Sequence, residues 1–139
     1  MSTDDVALNK AATIERCVGR VREEHAGDDA NLTENLTRQD SIVLNLQRAC
    51  EASIDLAMHL VRVHKLGIPQ ATRDAFRLLA GAGKLDGELA AKMERMVGFR
   101  NVAVHDYQRL NVEIVAAIVA KHLPDLLAFA AWAARGAAP

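Results

Sequence analysis

Residues 37–66 carry apolar side chains on two helical faces at once. Ile42, Leu46, Ala49, Cys50, Ala57, Leu60 and Val61 form one stripe at helical spacing, and Val43, Leu44, Ile54, Leu56, Met58 and Val63 add a second. A helix that is apolar on more than one side is buried on more than one side. The segment therefore calls for several packed neighbours, and it has apolar surface enough for a bundle core and a contact between subunits. Thr37 followed by Asp40 reads as a capping box with Asp in place of the usual Glu, which starts this helix.

The flanking sequence supplies the neighbours. A looser stripe of Val6, Ala7, Ile14, Cys17, Val18 and Val21 predicts a first helix over about 4–25, stopped by Gly27-Asp28-Asp29. The polar stretch from there to Asn35 reads as a loop. After Gly67, Pro69 takes the place of a helix N1 residue and predicts a third helix over 69–80. Gly81-Ala82-Gly83 is a turn, and Asp86 is the expected cap of a fourth helix with Leu89, Met93, Met96 and Val97 as its stripe. A fifth helix is predicted from Asn111 as N-cap to about residue 134, kinked or split at Pro124. Alanine and leucine dominate, aromatic residues are only 4 % and no period-2 stretch occurs, so helix is favoured over strand throughout. The expected architecture is all-α: an up-and-down bundle of about five helices, forming one domain over residues 1–139.

The formal net charge is −1, so no bulk electrostatic grip on nucleic acid is indicated. Any RNA binding has to come from arginines gathered locally, for instance across a dimer. Cys17 and Cys50 sit in helical patterns without ligand spacing and read as reduced core thiols of a cytoplasmic protein. No apolar run approaches the roughly 20 residues of a membrane span, and no signal-peptide pattern opens the chain. His25, His59, His64 and His122 read as satisfied polar residues. His59 and His64 lack neighbouring carboxylates at metal-ligand spacing, so no metal is expected.

The chemically loaded stretch is Arg100-Asn101-Val102-Ala103-Val104-His105-Asp106-Tyr107, which holds the only tyrosine. The stripe 89, 93, 96, 97 leads by helical spacing to position 100, where an arginine stands. A bland reading of Arg100 is a snorkelling or ion-paired side chain. A functional reading is a permanent, planar cation matched to phosphate, beside a histidine that handles protons near neutral pH. Arg100 and His105 are about 140° apart on an ideal helix and do not converge on one small group there. Either a local distortion joins them, or two copies across a two-fold axis place one subunit's Arg100 by the other's His105. Asn101 stands one helical turn before His105 and is placed to orient the imidazole. Arg48, Glu51 and Asp55 are spaced as an intrahelical ladder, read as structural or dimer-facing, with Asp40 as a cap.

Arg100, Asn101, His105 and Tyr107 match the R-x4–6-H-x-Y signature of HEPN-domain proteins, and the chain resembles the HepT toxins of HepT–MntA type toxin–antitoxin pairs. The segments 39–57, 67–76 and 96–101 share the likeness, which covers nearly the whole chain. The resemblance implies a homodimeric, metal-independent endoribonuclease that needs no cofactor and cleaves RNA, with transfer RNA as the expected class. It implies that His105 handles protons, that Arg100 binds the scissile phosphate and that Asn101 supports them. It also implies a partner, an MntA-like nucleotidyltransferase antitoxin that transfers AMP from ATP to Tyr107. A bulky anionic adduct two residues from His105 would repel RNA. The alternative is a non-catalytic helical module that binds a nucleotide or a nucleotidyltransferase through the same residues. A helix-turn-helix DNA binder is disfavoured, because no short turn leads into a basic recognition helix.

Overall fold

The computed structural model describes residues 3–105 and 111–137, with the backbone alone at 103–105. Among the described residues there are seven helices and no strand: α1 (Asp5–His25), α2 (Ala30–Thr33), α3 (Leu36–Val63), α4 (Asp74–Gly81), α5 (Gly87–His105), α6 (Val112–Lys121) and α7 (Leu123–Ala137). The all-α expectation holds. The count differs from five for two local reasons. Part of the stretch read as a loop closes into the single turn α2, and the last helix is two helices bent by 52°.

The split falls at His122, two residues before Pro124, so that the prolyl ring sits in the first turn of α7, where its missing N–H costs nothing. His122 and Asp125 stitch it, with Asp125 N–H donating to His122 C=O at 3.1 Å and the side chains meeting at 3.0 Å. Asn111 caps α6 by accepting the Glu113 N–H at 2.8 Å, and Asp86 caps α5 by accepting the Leu89 N–H at 3.1 Å, both as expected.

Three boundaries differ from the sequence reading. The cap of α3 is Asn35, whose side chain accepts the Arg38 N–H at 3.1 Å, not Thr37 with Asp40. The same helix ends at Val63, because Lys65 adopts φ +55 and Gly67 φ +115. α4 starts at Asp74 rather than Pro69, since the Asp74 carboxylate accepts the N–H groups of Gln70 (3.1 Å) and Ala71 (2.9 Å) and holds that segment as a turn.

Cross-helix contacts give the up-and-down order. Asp4 meets His59, Lys10 meets Asp55, and Arg38 Nη1 donates to Glu24 C=O, so α1 and α3 run antiparallel. Lys92 pairs with Asp125 and Trp132 Nε1 donates to Lys84 C=O, which sets α5 antiparallel to α7. The core between them is continuous and includes Ile14, Ile42, Leu46, Leu56, Phe76, Leu79, Met93, Leu126 and Phe129. Both predicted faces of α3 contribute, although Leu44 and Val63 remain exposed. Cys17 and Cys50 are buried and unpaired with each other. No single helix is long and apolar enough to cross a membrane. The bent pair α6–α7 passes that test by length and composition, but its Val115, Ile118, Leu126 and Phe129 face the core.

Candidate active site on α5

α5 buries Met93, Met96 and Val97 and then presents Arg100 at the next position of the same stripe. The helix would have to sink a charge here. The Arg100 side chain is held half-buried, at 28 % relative exposure, against α3. Its Nη1 donates to Asn101 Oδ1 at 3.0 Å, and its Nε stands 3.9 Å from Glu51 Oε1. That Nε is fully buried and makes no hydrogen bond among the described residues. A guanidinium has five N–H donors in a fixed fork. One edge is thus turned inward, and Nη2 and the second Nη1 proton are the donors that neither Asn101 nor Glu51 engages.

Glu51 was missed as a site residue by the sequence reading. The expected ladder of Arg48, Glu51 and Asp55 does not form among the described residues. Asp55 instead pairs with Lys10 of α1 at 3.4 Å, and Glu51 turns to Arg100. The reason is geometric: α3 packs against both α1 and α5, and each acid finds a cation on a neighbouring helix. No local signal announces a pairing across 49 positions. Cys50 lies directly beneath. Burial, and secondarily the Glu51 carboxylate, push its thiol up to about 12 against the opposing pull of Arg100. Cys50 is therefore a neutral packing residue under the pair.

The backbone is helical without a break from Arg100 through His105. The two positions are thus about 140° apart around one regular helix. The distortion route to bringing them together is not taken within this segment. The side chain of His105, and Tyr107 altogether, lie outside the described residues, as does any hydrogen bond from Asn101 to the imidazole. Asn101 itself supports Arg100.

Three of the four other histidines have the satisfied roles expected of them: His25 meets Asp29, His59 meets Asp4 and His122 meets Asp125, while His64 makes no side-chain hydrogen bond or ion pair among the described residues. The Asp4 partner of His59 comes from far along the chain. Among the described residues no three His, Cys, Asp or Glu side chains gather as metal ligands. A cleft of about 620 Å³ runs between α5 and α6, lined by Met96, Phe99, Val102, Ile114 and Ile118, with Lys92, Arg95 and His122. Arg100 does not line it. The arginine belongs to the flank of α5 that faces α3 and is not part of that cleft.

Comparison with known proteins bears on the family and the fold. The family model described as "Ribonuclease HepT-like" matches residues 14–131. The mRNA nuclease HepT of Shewanella oneidensis is 48% identical over 126 residues, which covers 91% of this chain and 94% of that protein. A crystal structure of a toxin–antitoxin complex with AMP-PNP contains a chain that is 46% identical, with a TM-score of 0.87 over 93% of this chain and 97% of that one. The tri-AMPylated HEPN toxin of Shewanella oneidensis, in complex with an MNT antitoxin, is likewise 46% identical, with a TM-score of 0.86 over 93% of this chain and 96% of that one.

Proposed function

The chain belongs to the HepT-like ribonuclease family, and from that premise we propose that it is the toxin of a toxin–antitoxin pair and cleaves RNA as a homodimer. The single observation that carries the reading is Arg100, a phosphate-matching cation held half-buried at the end of an apolar stripe, with Nη1 bonded to Asn101 and Nε turned toward Glu51.

The chemistry follows from the residue types. His105 takes the proton of a ribose 2′-OH, the 2′-oxygen bonds to phosphorus, the bond to the 5′-oxygen breaks, and that oxygen receives a proton. Arg100 neutralises the charge that builds on the non-bridging oxygens. Asn101, by accepting from Nη1, fixes the plane of the guanidinium. A regular helix holds Arg100 and His105 on different faces, which favours a site completed across a two-fold axis, one copy contributing Arg100 and the other His105. No step calls for a metal ion or a cofactor.

The partner in this reading is an MntA-like nucleotidyltransferase, as in the AMPylated Shewanella complex. The Tyr107 hydroxyl attacks the α-phosphorus of ATP, pyrophosphate leaves, and the tyrosyl–AMP places negative charge where RNA would enter. The reaction is placed in the cytoplasm, where RNA is met under conditions that keep Cys17 and Cys50 reduced. The Shewanella relative is named for mRNA, whereas transfer RNA is the class expected from the sequence, so both belong in the test.

That test is incubation of the partner-free protein with transfer RNA and with messenger RNA in EDTA, beside His105→Ala, with the cleavage ends mapped. Site-specific cuts by the wild type alone support the reading, and the preferred RNA identifies the substrate class. An unmodified, folded wild type that cuts neither RNA overturns it in favour of a binding module.

A further inference from the structure

We propose that Glu51 of α3 is a positioning residue for Arg100: it grips the guanidinium by its inner Nε edge and so aims the outer nitrogens at the scissile phosphate. The inference rests on the ribonuclease reading and extends it to a residue on a different helix, outside the R-x4-H-x-Y signature.

Three observations carry it. Arg100 Nε is buried and has no hydrogen-bond acceptor among the described residues. Glu51 Oε1 stands 3.9 Å from that nitrogen. Arg100 Nη1 is already committed to Asn101 Oδ1 at 3.0 Å. A buried N–H without an acceptor is costly, and a movement of about 1 Å brings the carboxylate to the usual charge-assisted distance of about 2.8 Å. With Nε held by Glu51 and one Nη1 proton by Asn101, the guanidinium plane is fixed on two sides. Nη2 and the second Nη1 proton then form the outward fork.

The same geometry separates positioning from mere stability. The Glu51 side chain is 41% exposed and that of Arg100 28%, and ion pairs this open contribute little to folding. A preorganised cation, by contrast, acts on the rate, where a misplacement of about 1 Å costs on the order of a hundredfold. Glu51 stands at the Nε edge of the guanidinium and works through Arg100.

The experiment compares wild type, Glu51→Ala and Glu51→Gln for steady-state RNA cleavage in EDTA, each also in an Arg100→Lys background, together with thermal melts. Glu51→Ala is expected to lower kcat by about ten- to a hundredfold, with KM and melting temperature close to wild type. Glu51→Gln keeps an oxygen that accepts from Nε and is expected to stay within about threefold of wild type. In the Arg100→Lys background, which has no Nε–H, Glu51→Ala is expected to cost nothing further. Wild-type kcat in Glu51→Ala, or an equal loss in both backgrounds, overturns the positioning role while the ribonuclease reading stands. A wild type that cleaves no RNA removes that reading, and the positioning role with it.

Discussion

His59 Nε2 stands 2.7 Å from Asp4 Oδ2 and 2.9 Å from Oδ1, which joins the far end of α3 to the start of α1 across 55 positions. The same carboxylate accepts the Ala7 N–H at 3.0 Å as the cap of α1, and the Asp4 N–H donates to Ala137 C=O at 3.1 Å. One residue thus ties three helices at one end of the bundle. Burial pushes its carboxyl up, but hydrogen bonds from Ala7 N–H and from His59, with the His59 charge, outweigh burial and hold it below the ordinary carboxylate value. A carboxyl lowered in the folded state stabilises the fold above its unfolded value, and that contribution is lost as pH falls through the folded one. Asp4→Ala is expected to cost about 1 kcal/mol at pH 7 through the lost cap alone. The gap between the two proteins in thermal melts should narrow below about pH 4. A gap that stays constant with pH would show that the charge on Asp4 contributes nothing.

Arg100→Ala is expected to reduce cleavage by about 10²–10³-fold, and His105→Ala by about 10²–10⁴-fold, with the fold intact in both. Subunit mixing tests where the site lies. Dimers that pair one Arg100→Ala chain with one His105→Ala chain regain an intact site only if Arg100 and His105 come from different copies. Restored cleavage on mixing the two inactive proteins is the expected result. No recovery, with exchange of subunits demonstrated, assigns both residues to one chain and defeats the shared site.

Tyr107 is the only tyrosine of the chain, which makes its modification readable by intact mass. Incubation with ATP and an MntA-type nucleotidyltransferase should add AMP units to the wild type and none to Tyr107→Phe, and RNA cleavage should fall only in the wild type. Equal modification of the Phe variant would move the acceptor elsewhere.

Phe129 is completely buried, in edge contact with Phe76 at 5.3 Å and stacked on Trp132 at 5.6 Å between ring centroids. Phe129→Ala should cost about 3–5 kcal/mol, a large part of the roughly 5–15 kcal/mol that holds a domain together. Leu44→Ala, at a side chain 43 % exposed, should stay within about 0.5 kcal/mol of wild type. Thermal or urea unfolding separates the two, and similar losses at both sites would contradict this assignment of the core.

The sequence by itself determined the all-helical class, most of the residues that pack (Val6, Leu44 and Val63 of the expected stripes are exposed), the caps at Asp86 and Asn111 and the break near Pro124, because each depends on neighbours a few positions away. Helical spacing also pointed to Arg100 as the charged member of an apolar stripe. Boundaries went astray where a side chain reached its partner by a turn that local pattern does not encode: Asn35 capping α3, and Asp74 drawing in the N–H groups of Gln70 and Ala71. Only the tertiary structure decided that Glu51 leaves its own helix to face Arg100, that Asp55 goes to Lys10 and that His59 goes to Asp4. Those partners lie 45 to 55 positions apart along the chain. Which charges meet at such separations depends on how α1, α3 and α5 are packed, and periodicity within one helix carries no information about that.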